Sequence, residues 1–163
     1  MASLKKTNAA RLLDRLGIPY RLAGYPVDPD DLSATHAAAM LGVAPEIVFK
    51  TLLVTGAPNG LAFAVIPACA ELDMKKLALA LGDKHVEMVP LAELLPLTGY
   101  VRGGCSPLGA KKKYPVCIDS SARILATMYV SAGQRGMQLV LAPDSLAQAA
   151  DASFADITRD ASR

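Results

Sequence analysis

Apolar and polar positions along the chain follow two rhythms. Apolar residues three and four apart, with Leu4, Ala9, Leu12, Leu13 and Leu16 as the stripe, predict a first helix. Ser3 would cap it, Gly17 end it and Pro19 keep it from resuming. Residues 33–41 predict a second helix, opened by Ser33 and stopped by Gly42. Residues 72–81 predict a third, with Asp73 near its start, Lys75 and Lys76 outward and Gly82 as the stop. Residues 47–54 and 61–66 read instead as strands. The Asn59-Gly60 step in the turn between two apolar runs is a hairpin signal.

Shorter strands are expected at 85–89, 99–102, 116–119, 124–130 and 137–141, and Pro143 with Asp144 opens a last helix. Helices and strands alternate irregularly around at least one hairpin. The prediction is therefore an α+β fold: a single compact domain over residues 1–163 with a mixed, largely antiparallel sheet flanked by helices.

Composition narrows the function. At 52% hydrophobic and 20% charged residues the chain lies outside the disordered regime. Of the apolar residues 28 are alanine, while 8 are aromatic and none is tryptophan, which disfavours a platform that stacks single-stranded bases. Seventeen Lys and Arg against fifteen Asp and Glu give a net charge of +2, too balanced for a bulk grip on DNA, so any RNA contact must be local. Cys69, Cys105 and Cys117 form no C-x-x-C pair and follow no secretory leader, the pattern of a reduced cytoplasmic protein. No apolar run reaches the roughly 18 residues a membrane span needs.

Lys50 is the most informative single residue. Alternation puts Val48, Lys50, Leu52 and Val54 on one strand face and Ile47, Phe49, Thr51 and Leu53 on the other, so both faces around it are apolar. An ammonium there must be paired, reach an edge or serve a site; an edge-strand lysine that blocks aggregation is the plain alternative. The loop from Gly103 to Gly109 could gather main-chain N–H groups around an anion or oxyanion, but Ala110 stands where a phosphate loop needs lysine. Taken alone, the loop is better explained as a tight strand-to-loop turn. Lys111, Lys112 and Lys113 follow and could hold phosphates or simply be solvated. Ser131 opens a further small-residue turn.

Cys105 with His36 or His85 is a candidate nucleophile pair, but no third member presents itself. Cys69 and Cys117 read as small core fillers. No His and Cys spacing fits a metal site, and no cofactor is expected. Asp28, Asp30 and Asp31 suit capping before the second helix.

The segments 48–54, 103–112 and 129–136, in this order and at these intervals, resemble the signature segments of the YbaK/EbsC family, and the likeness runs over almost the whole chain. It is nearest the branch of Cys-tRNA(Pro) deacylases. The resemblance implies a free-standing editing domain, acting on mischarged tRNA(Pro) and recruited by prolyl-tRNA synthetase. It implies Lys50 as the essential residue, with Tyr25, Thr51, Gly103, Gly104 and Ser131 around the substrate, while Lys111, Lys112 and Lys113 are candidate tRNA contacts by their charge. It further implies that the substrate cysteine's own thiol attacks its ester, releasing a thiolactone, so that no protein nucleophile is used. A deacylase for Ala-tRNA(Pro) or another small mischarged residue, or a binding module without turnover, remains the alternative. The best-known members carry aspartate where this chain has Gln138, and no role for a carboxylate is carried over.

Overall fold

The structure, a computed structural model, describes residues 6–160. Five helices, α1 (Asn8–Leu16), α2 (Ala34–Leu41), α3 (Met74–Leu81), α4 (Leu94–Thr98) and α5 (Pro143–Ala150), pack around one sheet. Its strands are β1 (Arg21–Gly24), β2 (Val48–Ala57), β3 (Gly60–Pro67), β4 (His85–Met88), β5 (Val116–Asp119), β6 (Met128–Gln134), β7 (Met137–Leu141) and β8 (Ser153–Ala155). The order is β1-β7-β6-β2-β3-β5-β8, with β4 pairing β2 in addition. Pairs β2/β6, β3/β5 and β5/β8 are parallel and the others antiparallel, so the sheet is mixed and largely antiparallel as expected.

Local chemistry accounts for the helix starts. Ser33 Oγ accepts the His36 N–H, and Asp73 accepts the N–H groups of both Lys75 and Lys76. In α1 the cap is Thr7, whose Oγ1 accepts from Ala10 N; Ser3 and Leu4, expected to begin this helix, lie outside the described residues. The buried side of α1 is Ala9, Ala10 and Leu13, while Leu16 is 48% exposed because the helix ends before its last turn reaches the sheet.

Four further expectations are corrected. Residues 99–102 form no strand: α4 ends at Gly99 and the chain turns, with Gly104 N–H closing on Val101 O. Residues 120–124 form a short 3-10 turn, because Asp119 caps it by accepting from Ser121 N; Ile124 is 88% exposed and β6 starts only at Met128. Lys76 does not simply face solvent, since its ammonium donates to Asp156, Asp160 and the Thr158 carbonyl and so ties the C-terminal segment to α3. Cys69 is exposed rather than core, at the end of the turn after β3, whereas Cys117 is fully buried. β1, α4 and β8 were not anticipated, each being too short for a hydrophobic period to register.

The core lies on both sheet faces. Phe49, Leu53, Phe63, Val65 and Ile118 meet α1 and α5 on one. On the other, Val54, Ala64 and Ile66 meet α3, while Val48, Tyr129 and Val140 meet α2. Abundant alanine lets α1 and α2 sit close to the strands: Ala9, Ala10, Ala37 and Ala38 are all buried at the contact. Among the described residues no helix is long and apolar enough to cross a membrane.

Candidate active site

The site begins with a gap in a ladder. Ala68 N–H bonds Val48 O at 2.7 Å. In an antiparallel pair this makes the even residues of β2 exchange hydrogen bonds with β3 and turns the peptide groups of Phe49, Thr51 and Leu53 to the opposite edge. On that edge β6 pairs only with Val48 and Phe49, and β4 only from Val54 onward. Leu53 O is met by Val89 N–H at 3.1 Å. Thr51 lies between the two neighbours and has neither. Its Oγ1 is buried without a hydrogen-bond partner as well.

A cleft of about 370 Å³ lies at this notch. Tyr25, Leu32, Ala37, Lys50, Thr51 and Leu94 border it. Gly103 and Cys105 come from the glycine loop, and Ser131 and Gln138 from the adjoining β6–β7 pair. Its volume is that of a small-ligand site. No aspartate or glutamate lines it.

Lys50 is half-buried, and its ammonium donates to the Ala68 carbonyl at 3.2 Å. Among the described residues it has no carboxylate within ion-pair distance. β2 lies between β6 and β3 in the sheet order, yet beside Lys50 β6 has already left and β4 has not begun, so the strand is locally open there.

The glycine loop is held by close backbone approach. Gly103 has a φ of +85°, and a Cβ there would lie 3.2 Å from Leu32 and 3.5 Å from Arg135, so the turn needs glycine. A Cβ on Gly104 would press on the main chain of Gln134 and Arg135 at 3.1–3.2 Å. Gly104 thus seats the loop on the β6–β7 hairpin rather than lining the cleft, and its N–H is used on Val101 O. The amides of Gly103 and Cys105 donate to no protein group among the described residues. Tyr100 anchors the loop from beneath by donating to Leu108 O.

The predicted residues Lys50, Tyr25, Thr51, Gly103 and Ser131 therefore share one cleft. Ser131 is buried and its Oγ accepts from Gly133 N at 3.2 Å. Lys111, Lys112 and Lys113 do not join it. Lys112 and Lys113 border a separate cavity of about 250 Å³ against α1 and α5, Lys113 pairs with Asp151 at 3.7 Å, and Lys111 lies over Gly99 and α4. The loop turns between Cys105 and Ala110, which carries the triplet to its far side.

Burial pushes the Cys105 thiol up to about 12, so it remains a thiol at neutral pH. Neither histidine lines the cleft. Sequence reading missed Arg102, Met88, Leu91 and Gln138 as cleft residues. Arg102 had a usable signal in its place directly before the glycines; the others reach the cleft only through the β4–α4 segment and the β7 register.

Comparisons with known proteins agree with this architecture. A candidate Cys-tRNA(Pro)/Cys-tRNA(Cys) deacylase of Enterococcus faecalis, EbsC, is 44% identical over 94% of this chain and 94% of its own. A proline–tRNA ligase of Pelobacter propionicus is 29% identical over 69% of this chain but only 19% of its own length. Among solved structures, a candidate trans-editing enzyme for prolyl tRNA synthetase superposes with a TM-score of 0.82 at 22% identity, covering 97% of this chain and 100% of that one. A hypothetical protein superposes with a TM-score of 0.85 at 25% identity, over 94% and 100%. The model of the aminoacyl-tRNA editing domain matches residues 28–149, from the segment before α2 to the end of α5, and the chain belongs to that family.

Proposed function

We propose that this chain is a trans-editing deacylase that clears Cys-tRNA(Pro), with the ester cleaved in the cleft beside Lys50. The observation that carries this reading is a half-buried ammonium without a carboxylate partner, next to an unpartnered Thr51, in a cleft lined by no acid. Such a cleft favours a ligand rich in oxygen acceptors: an ester carbonyl, ribose hydroxyls and phosphates. Lys50 and the open amides of Gly103 and Cys105 are donors for a carbonyl oxygen as charge develops on it.

Cys105 is held as a neutral thiol and among the described residues no histidine borders the cleft, so no Cys–His pair is available to attack the ester. In this mechanism the substrate cysteine supplies the attack. A bond forms between its sulfur and its own carbonyl carbon, and the ester bond to the ribose breaks. The thiol proton ends on the leaving ribose oxygen. The four-membered thiolactone is then opened by water to give cysteine. Holding the thiol against the carbonyl replaces a catalytic group, because effective molarities of well-placed partners reach about 10⁵ M or more.

The need for such an enzyme is physical. Cysteine and proline are close in size, and a pocket distinguishes small apolar differences by only about 1–3 kcal/mol. A net charge of +2 gives little independent affinity for tRNA, so prolyl-tRNA synthetase is the proposed recruiting partner in the cytoplasm, with Lys111, Lys112 and Lys113 adding local attraction to phosphates. The names of the E. faecalis and P. propionicus relatives support the same substrate and partner.

The test is a panel of Cys-, Ala- and Ser-charged tRNA(Pro). Rapid clearance of the cysteine ester, lost when its thiol is alkylated, is expected. Equal clearance of the alanine ester would replace the thiol route with attack by water. Saturable binding without turnover on any ester would make the chain a binding module.

A further inference from the structure

We propose that Arg102 and Arg135 form a phosphate subsite at the mouth of the cleft, which takes the phosphate 5′ to the ester-bearing nucleoside; this rests on the deacylase reading. Arg102 borders the cleft directly before the glycine turn. Arg135, in the turn of the β6–β7 hairpin, donates from Nε to the Arg102 carbonyl at 2.8 Å. This hydrogen bond holds the exposed Arg135 side chain against the main chain of Arg102, next to the cleft residue.

What distinguishes Arg102 from the other arginines without a counter-ion is its place on the cleft. Lys76, Arg159 and Lys113 each have a carboxylate within 4 Å. Among the described residues Arg102 and Arg135 have none, although Asp28, Asp30 and Asp31 lie in the segment leading to Leu32, which packs at Gly103. Two cationic side chains on neighbouring backbone without an anion give a local positive potential that attracts one. Arg135 has its two terminal nitrogens left after using Nε, and Arg102 its whole fork. Parallel guanidinium donors match the oxygens of a phosphate.

Position selects which phosphate. A cleft of about 370 Å³ exceeds what a cysteinyl group fills, so the nucleoside bearing the ester must occupy its outer part. The 5′-phosphate is one ribose removed from the ester oxygen. With the ester at Lys50 deep in the notch, that phosphate arrives at the rim where Arg102 stands. The lysine triplet, on the far side of the glycine loop, cannot serve the same group.

Calorimetry with a non-hydrolysable probe tests the subsite: adenosine carrying cysteine through a 3′-amide, with and without a 5′-phosphate. In the wild-type chain the phosphate should tighten binding roughly ten-fold or more, the range of a hydrogen-bonded charge pair. Arg102→Gln should abolish most of that advantage and weaken the phosphate-free probe far less than the phosphorylated one. Arg135→Gln should reduce it in part, and Lys112→Gln should leave it unchanged. A phosphate advantage that is absent in the wild type, or equal in wild type and Arg102→Gln, overturns the subsite. The deacylase reading fails separately, by absence of turnover on every charged tRNA. Cleavage of Cys-tRNA(Pro) together with an unaltered phosphate advantage in Arg102→Gln would reject the subsite alone.

Discussion

Along β2, the residues from Phe49 to Leu53 and those from Val54 to Ala57 share the neighbour β3 but meet different things on the other edge. The second half is closed: β4 pairs with Val54 to Ala57, and α3 packs behind Val54. A carboxylate is tucked under its hairpin, where Asp83 Oδ1 accepts the Asn59 N–H at 2.8 Å. The first half is open, since β6 leaves after Phe49 and β4 has not yet arrived. There the buried polar atoms, Thr51 Oγ1 among them, face a cleft, and the nearby charge is an ammonium without an anion. One strand thus carries a stability problem at one end and a chemical opportunity at the other. The difference in pairing is made by the neighbouring strands, while the sequence adds Lys50 and Thr51 to the open half.

The largest expected effect breaks the open half. Lys50→Ala should lower kcat/KM for Cys-tRNA(Pro) by on the order of 10²-fold, the usual cost of removing a transition-state donor. Circular dichroism and Tm should be nearly unchanged, because the ammonium makes one hydrogen bond in the fold. Wild-type turnover would remove Lys50 from the mechanism.

The closed half should respond the other way. A Cβ at Gly56 would fall 2.0 Å from Asp83 Oδ2 and 3.1 Å from Val86, so Gly56→Val must push the carboxylate or β4 aside. A loss of about 1–3 kcal/mol in urea unfolding is expected from overpacking. The activity of the folded fraction should be retained. A stable variant with lost activity would mean that the two halves are coupled.

Cys105 sharpens the contrast within the cleft itself. Cys105→Ala should leave deacylation intact and cost about 1 kcal/mol of stability from lost packing. With the thiol held at about 12, iodoacetamide should label exposed Cys69 well before Cys105. Early labelling of Cys105 with loss of activity would revive a protein nucleophile.

The smallest effect concerns acid. Asp73 is held below the usual carboxylate value by the N–H groups of Lys76 and Lys75 at the start of α3. Its folded value lies below its unfolded one, so its contribution is complete above about pH 5 and is lost as pH falls through the lowered value. Asp73→Asn should flatten the acid side of a Tm-against-pH curve slightly. An identical curve would show that this cap adds no pH-dependent stability.

Sequence reading reached the elements whose signals are local. The caps Ser33 and Asp73, the Asn59-Gly60 hairpin and the long runs of β2 and β3 depend on neighbours a few residues away, and they stand where the pattern put them. It failed at 99–102 and at Ile124, where short apolar stretches imitate strands but Gly99 and the Asp119 cap turn the chain. Of the candidate site, Lys50 stood out because a charge interrupted an apolar alternation. Arg102, Gln138 and the β4–α4 wall did not, since nothing near them in sequence marks a cleft.

What the sequence determined by itself was thus the longer elements, the caps Ser33 and Asp73, the β2–β3 hairpin and the one residue that violates its surroundings. These are matters of period, turn chemistry and desolvation that act over a few residues. Tertiary structure decided that β2 is an inner strand, that β6 and β4 leave its edge open at Thr51, and that the lysine triplet falls on the far side of the loop. Those outcomes depend on pairings between residues as distant as Phe49 and Val130, and a gap between two neighbours exists only once both have been placed.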